Sequence, residues 1–120
     1  MNTNDYIYHS RSILSQAVQI ENSKRPAYTG GKDDVLYNFK SVAEKLGITP
    51  FQAWGVYALK HFDAIMSYAK DPNIPQGEAM EGRFADAVNY LKLGYALYKE
   101  TENNPKRFGI IEFDSVMPGN

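Results

Sequence analysis

The sequence contains no cysteine among its 120 residues, and this absence removes several classes of chemistry. Disulfide bonds, thiolate zinc sites and cysteine nucleophiles are all excluded. His9 and His61 are the two histidines, and neither has a second histidine at metal-ligand spacing, so a zinc site is not expected. A chain of this length can bury a core without a covalent or metal staple.

The sequence also lacks an excess of positive or negative charge. Thirteen Lys and Arg against fourteen Asp and Glu leave a net charge of -1, so no global field attracts duplex DNA or RNA. No apolar run approaches the roughly 20 residues of a membrane-spanning helix. The opening stretch MNTNDYIYHS has neither the basic head nor the apolar run of a signal peptide. We therefore expect a cytoplasmic protein without a membrane partner.

What the sequence does contain is helical periodicity. Apolar residues recur at helical spacing in four segments, which predicts helices over about residues 5–21, 34–46, 50–70 and 78–100. The third start is the best marked, because Thr49 can cap the helix, Pro50 suits its first position and Gln52 completes a capping box. The whole chain is predicted to be one all-α domain, a bundle of about four helices with its core over about 5–100.

The last twenty residues differ from the rest. RFGIIEF is β-prone and too short to fold alone, so residues 101–120 are predicted to form an extended C-terminal arm. Such an arm packs either on its own bundle or on another subunit. Since a bundle of this size forms only a shallow pocket by itself, we expect a homo-oligomer.

Two helices carry polar residues that could form a site. In YALKHFDAI, Lys60 and Asp63 are neighbours on one helical face; they point into a cleft or form a solvated pair worth a few tenths of a kcal/mol. In EGRFADAVNYL, Arg83, Asp86 and Asn89 repeat every three residues, with Tyr90 adjoining. That polar stripe is either a paired interior network or a ligand site.

The stretch KRPAYTGGKDDVLYNF, residues 24–39, is interpreted as a loop that approaches a phosphate group. It combines two cations, an aromatic ring and a glycine pair: Lys24, Arg25, Tyr28, Gly30 and Gly31. Cations and glycine N–H groups favour an anion, and the ring can stack on a base. Asp33 and Asp34 oppose an anion at the same place, so they either cap the next helix or hold a metal.

Three segments, AYTGGKDDVLYNF, LKHFDAI and GRFADAVNYL, resemble a group of small, mostly phage-encoded all-α proteins of poorly defined function. The resemblance covers about residues 13–97. More distantly, EGRFADAVNYLKLGYAL is similar to the last core helix of the MazG-like and dUTPase-like all-α nucleotide pyrophosphohydrolases. Those enzymes hold magnesium with two acidic pairs on adjacent helices and assemble as oligomers, so the resemblance implies a nucleotide pocket.

The chain departs from the enzyme pattern at two positions. Arg83 precedes Asp86, and Lys60 precedes Asp63, where the enzymes have acids. Each replacement removes a metal ligand and adds a cation that suits phosphate oxygens.

The first hypothesis is therefore non-catalytic binding of a phosphorylated nucleotide, linear or cyclic. Family context implies sequestration of a signalling nucleotide in an infected bacterial host. No cofactor is required. The predicted ligand-binding residues are Lys24, Arg25, Tyr28, Gly30, Gly31, Asn38, Trp54, Lys60, Asp63, Arg83, Asp86, Asn89 and Tyr90.

Two alternatives stay open. One is a magnesium-dependent nucleotide pyrophosphohydrolase or an accessory of nucleotide modification, with metal candidates Asp63, Glu78, Glu81 and Asp86. The other is a structural helical module that binds a protein.

Overall fold

The computed structural model describes residues 1–29 and 31–103, apart from the side chains of residues 27, 28 and 103. These residues form four α-helices: α1 (Thr3–Thr29), α2 (Tyr37–Leu46), α3 (Pro50–Lys70) and α4 (Met80–Asn103). No strand occurs in the described part of the chain, and the predicted all-α four-helix arrangement is confirmed. None of the four helices has the length and apolar character needed to cross a bilayer.

The start of α3 matches the sequence prediction. The Thr49 hydroxyl accepts a hydrogen bond from the Gln52 N–H at 3.1 Å, and the Gln52 side chain accepts one from the Thr49 N–H at 2.9 Å. This capping box satisfies two N–H groups that a helix start otherwise leaves without partners. Pro50 occupies the first helical position, where its missing N–H costs nothing.

Helix α1 runs eight residues further than predicted. Its end was expected at Glu21, yet residues 24–29 are its last turns and not a loop, with Pro26 inside the helix. Contacts with distant parts of the chain stabilise this extension: the Lys24 ammonium donates to Asp86 on α4 at 3.4 Å. The helix ends where Gly31 adopts a left-handed φ of 81°, which favours glycine.

Helix α2 begins three residues later than the predicted Asp34. The Asp34 carboxylate accepts the Leu36 N–H at 2.9 Å and pairs with Lys40, so it organises a turn ahead of the helix. This is the local side-chain bonding by which Asp competes with helix formation. The predicted stop at Gly47 is confirmed, since its φ of 69° is left-handed.

The C-terminal end of α4 corrects the boundary of the predicted arm. Residues 101–103 continue α4 beyond the predicted end at 100, and the Thr101 hydroxyl donates to the Leu97 carbonyl at 2.9 Å. The remainder of the predicted arm lies outside the described residues.

Helix α4 is central, because α1 packs on one side of it and α3 on another. Next to α1, the Asn89 amide donates to the Ala17 carbonyl at 2.8 Å and Lys92 pairs with Glu21 at 2.9 Å, so α1 and α4 run in the same direction. Helix α2 covers α3. The apolar core between α2, α3 and α4 consists of Leu36, Phe39, Ala43, Ala53, Ala58, Tyr90, Leu93 and Leu97.

Helix α3 packs tightly against α4 at Gly94. A Cβ atom there would overlap ring carbons of Trp54, so only glycine leaves room for the indole. The indole Nε1 donates to the Tyr90 carbonyl at 2.7 Å, which fixes the ring in place. Trp54, a predicted ligand-binding residue, is thus committed to helix packing.

Candidate functional site

The Asp86 carboxylate is the hub of a polar cluster where α1, α3 and α4 meet. Asp86 is only 5% exposed. Lys24 on α1 lies 3.4 Å from one of its oxygens, and His61 Nδ1 on α3 lies 3.9 Å from the other. A buried carboxylate requires such partners, because an isolated buried charge is expensive.

His61 connects this hub to an aromatic ring. Its imidazole stacks at a tilt against Tyr90, with ring centroids 4.3 Å apart. Burial lowers the pKa of His61, Asp86 opposes that shift, and the positive charges of Lys60 and Lys24 add to it. The fold therefore favours the neutral imidazole.

Two side chains in the α4 polar stripe have buried atoms to which no described residue offers a hydrogen-bond partner. They are the Arg83 Nε and the Asn89 Oδ1. Arg83 does reach Glu78, but that ion pair is long at 3.7 Å and Glu78 is largely exposed. An unpaired buried polar atom typically costs about 1–3 kcal/mol. Within the described part of the chain, the stripe is therefore not fully paired.

An aromatic groove adjoins the cluster. It has a volume of about 470 Å³, and Tyr90 belongs both to its wall and to the stack on His61. Tyr57, one turn before His61 on α3, also lines it and is 38% exposed. The full lining consists of Val35, Asn38, Phe39, Ser41, Val42, Lys45, Tyr57 and Tyr90.

The structure brings together a subset of the predicted ligand-binding residues. Five of them belong to the polar cluster or lie along its α4 stripe, and Asn38 lies in the adjoining groove. The five are Lys24, Arg83, Asp86, Asn89 and Tyr90. Lys60 and Asp63 are exposed on α3, although Lys60 is close enough to His61 to affect its pKa.

Other predicted residues lie elsewhere. Arg25 lines a separate cleft of about 200 Å³ with Glu21 and Lys92. The Gly31 N–H donates to the Thr29 hydroxyl at 3.3 Å, so it serves the end of α1. Gly30 and the side chain of Tyr28 lie outside the described residues.

The four metal candidates do not form one group. Asp63 is exposed, Glu78 pairs with Arg83, and Asp86 is engaged by Lys24 and His61. Glu81 lines a different groove, between α1 and the start of α4. Within residues 1–29 and 31–103, no three His, Asp or Glu side chains are arranged to hold a metal ion.

The two rings that α3 contributes to the site were not among the predicted ligand-binding residues. Tyr57 and His61 stand four apart on α3, and Lys60 lies between them in sequence. That spacing places both rings on one helical face. The signal was present in YALKH, but only tertiary contact with Tyr90 shows which face of α3 meets α4.

Comparison of the chain with protein-family models, with curated proteins and with solved structures finds no match. The resemblance to small phage proteins and, more distantly, to all-α pyrophosphohydrolases thus stays a prediction.

Proposed function

We propose that the chain binds a phosphorylated nucleotide, with its phosphate at the polar cluster and its base in the aromatic groove. The observation that carries the proposal is the position of Tyr90. Its ring stacks on His61 and also lines the groove, so this one side chain joins the polar cluster to the aromatic groove. A phosphate joined to a base requires that combination.

The cluster supplies the positive end. Lys24 and Lys60 both act on His61, and Arg83 lies one turn before Asp86 on α4. The partly buried Arg83 guanidinium has a donor that no described residue accepts, and guanidinium groups match phosphate oxygens. Asp86 orients Lys24 and limits the excess of positive charge before the ligand arrives.

The groove supplies the base site. Its volume of about 470 Å³ lies within the roughly 300–1,000 Å³ typical of small-molecule pockets. The half-exposed Tyr57 ring offers a stacking surface. Asn38 at the lining carries an amide, which can both donate to and accept from a base edge.

The same geometry favours binding over hydrolysis. The carboxylates that act on the pKa of His61 are those of Asp86 and Glu78, and both already contact cations of the protein. A protein that holds a nucleotide without converting it acts by sequestration. In the cytoplasm of an infected bacterium, the ligand best suited to that role is a signalling nucleotide.

Calorimetric titration against a panel of linear and cyclic nucleotides tests the proposal. We expect Lys60→Gln to weaken binding about tenfold, equivalent to about 1.4 kcal/mol, since it removes one charge-assisted contact. Lys70→Gln, at the far end of the same helix, is the matched control and should leave affinity unchanged. Tyr57→Ala should weaken binding by about 1–3 kcal/mol if the base stacks there.

The panel also separates the alternatives. If no nucleotide binds at up to millimolar concentration, the proposal is wrong and a structural module is favoured. If triphosphates with magnesium yield monophosphate and pyrophosphate, detected by mass spectrometry, the pyrophosphohydrolase alternative replaces it.

A further inference from the structure

A small charged cleft lies between the end of α1, the turn before α2 and the middle of α4. It has a volume of about 200 Å³ and is lined by Glu21, Arg25, Val35, Lys92, Leu93 and Ala96. Pockets that hold a whole small molecule have about 300–1,000 Å³. The cleft, which we call the Arg25 cleft, is therefore too small for a nucleotide and suits a single group of a ligand, such as a phosphate.

The Arg25 cleft adjoins the aromatic groove. Val35, a half-exposed residue just before α2, lines both of them. Tyr90 lines the same groove and stacks on His61 in the polar cluster. The aromatic groove thus has one side chain in common with each of two charged sites, Tyr90 with the polar cluster and Val35 with the Arg25 cleft.

The charges of the Arg25 cleft are arranged around one carboxylate. Lys92 Nζ lies 2.9 Å from Glu21 Oε1, and Arg25 Nη2 lies 3.9 Å from the same oxygen. Two cations against one carboxylate leave a formal charge of +1. Leu93 and Ala96 add apolar surface. Beside apolar surface the local dielectric is low, so the cations attract an anion more strongly than they would in open water.

The ion pairs of the cleft are of a kind that an anion can rearrange. The side chains of Arg25 and Lys92 are about half exposed, and exposed ion pairs contribute little to stability. Arg25 Nη2 also donates to Asn22 at 3.3 Å. A guanidinium has five N–H donors in a planar fork that matches phosphate oxygens, so contacts at one nitrogen leave the fork able to bind.

The cations of the two charged sites follow each other in the sequence. Lys24 and Arg25 are consecutive on α1, so their side chains leave the helix about 100° apart. Lys24 reaches Asp86 in the polar cluster, and Arg25 lines the cleft. On α4, Asp86 and Lys92 are six residues apart, about 9 Å along the helix axis. A nucleoside with a phosphate on each side of its sugar spans that distance with the help of the long cationic side chains.

We propose that the Arg25 cleft binds a second phosphate of the nucleotide, so that the preferred ligand carries phosphate groups on both sides of one sugar. This inference rests on the proposed function. The base lies in the aromatic groove, one phosphate lies at the polar cluster, and the other lies between Arg25 and Lys92. Two kinds of molecule share this chemistry: a nucleoside 3′,5′-bisphosphate and a 5′-phosphorylated dinucleotide.

Calorimetric titration compares nucleoside 5′-monophosphates with the matching 3′,5′-bisphosphates and 5′-phosphorylated dinucleotides. We expect the second phosphate to tighten binding about tenfold. Arg25→Gln and Lys92→Gln should each remove most of this gain and leave the affinity for the monophosphate unchanged. Lys99→Gln is the matched control, because Lys99 is another half-exposed lysine of α4 that pairs with a carboxylate, Glu102 at 3.0 Å. The tighter of the two doubly phosphorylated ligands identifies the class.

Glu21→Gln should act in the opposite direction. It removes the carboxylate that competes with a phosphate for Arg25 and Lys92, so we expect affinity for the bisphosphate to rise about threefold. The affinity for the monophosphate should stay the same. If Glu21 had only a structural role, its loss would not tighten binding, and an unchanged or weaker affinity for the bisphosphate contradicts the proposal.

Phosphorus NMR of the bound bisphosphate locates each phosphate. Arg25→Gln should return one of the two phosphorus resonances toward its position in the free ligand and leave the other where it is. Equal affinity of the unmodified chain for monophosphate and bisphosphate overturns this inference and leaves the proposed function intact, as does an Arg25→Gln variant that binds the bisphosphate normally. Binding of no nucleotide at all overturns both.

Discussion

The two ends of the α3–α4 contact are built from different kinds of residue. At one end, Trp54 fills the space above Gly94 and its Nε1 has a carbonyl partner. At the other end, Asp86, Arg83 and Asn89 are mostly or fully buried, and two of the three have an atom without a partner among residues 1–29 and 31–103. The first end is a fitted apolar contact, and the second is a polar contact that the fold leaves incompletely paired.

The two ends therefore differ in what they contribute: one stabilises the fold, and the other offers groups to a ligand. A fitted apolar contact stabilises the native state and gives little opportunity for a ligand. Unpaired buried polar atoms destabilise it unless something else bonds them. Groups that bind a ligand are therefore expected at the Asp86 end, and the largest losses on mutation at the Trp54 end.

Gly94→Ala provides the sharpest test at the fitted end. Alanine normally stabilises a helix interior over glycine by about 0.5–1 kcal/mol. Here the added methyl group meets the Trp54 ring, so we expect a loss of about 1–3 kcal/mol in the free energy of unfolding. Gly55→Ala in α3 meets no described atom within 4 Å and should instead stabilise, as measured by urea denaturation.

A second substitution, at Trp54, shows whether the loss in Gly94→Ala comes from contact with the indole ring. In a Trp54→Phe background the smaller ring leaves room for the methyl group, so Gly94→Ala should cost much less there. Equal losses in both backgrounds would show that the two residues do not conflict.

Arg83→Met tests the polar end. Its expected effect on the free energy of unfolding is smaller than that of Gly94→Ala and opposite in sign. Methionine keeps the stem of the side chain and removes the unpaired Nε, at the expense of a weak pair with exposed Glu78. We expect unfolding free energy to rise by about 0.5–1 kcal/mol while nucleotide affinity falls. Arg25→Met, on the exposed surface of α1, should change stability by less than about 0.5 kcal/mol.

A loss of roughly 3–5 kcal/mol in Arg83→Met would mark a broken buried pair instead. The polar end would then be as structural as the Trp54 end, and the contrast between them would disappear.

The smallest expected effect is the pH dependence contributed by His61. Its pKa is lowered in the folded state, chiefly by burial, so the unfolded chain binds more protons below about pH 6.5. Its contribution to stability is complete above that pH and declines as pH falls through the lowered value. His61→Gln should therefore lose less stability than the unmodified chain between pH 7.5 and 5, in parallel urea titrations.

His9→Gln serves as the control, because His9 is exposed on α1. Its pH dependence should match that of the unmodified chain. If His61→Gln matches it as well, the imidazole is not held neutral by the fold.

How far the sequence predicts the structure depends on the range of the determining interactions. The start of α3 follows from Thr49, Pro50 and Gln52, which act within one turn, so it was predictable. The end of α1 was not, because Pro26 is a local signal for a break. Contacts such as the Lys24–Asp86 bond, which joins residues 62 apart, stabilise the helix beyond it.

The same distinction applies to the site. The polar stripe of Arg83, Asp86 and Asn89 was visible as a three-residue repeat in α4. The roles of Trp54 and His61 could not be predicted from the sequence. Both rings lie on α3 next to α4, and only Trp54 packs over Gly94. Which ring packs and which joins the cluster is decided by where α3 crosses α4.

The parallel pairing of α1 with α4 also has a consequence for biosynthesis. The bond between Asn89 and the Ala17 carbonyl joins residues 72 apart, while α2 and α3 are close neighbours in sequence. At about 5–20 residues per second, the ribosome delivers Asn89 roughly 4–14 s after Ala17. We expect α2 and α3 to associate first, and α1 to keep its apolar face uncovered until α4 has been made.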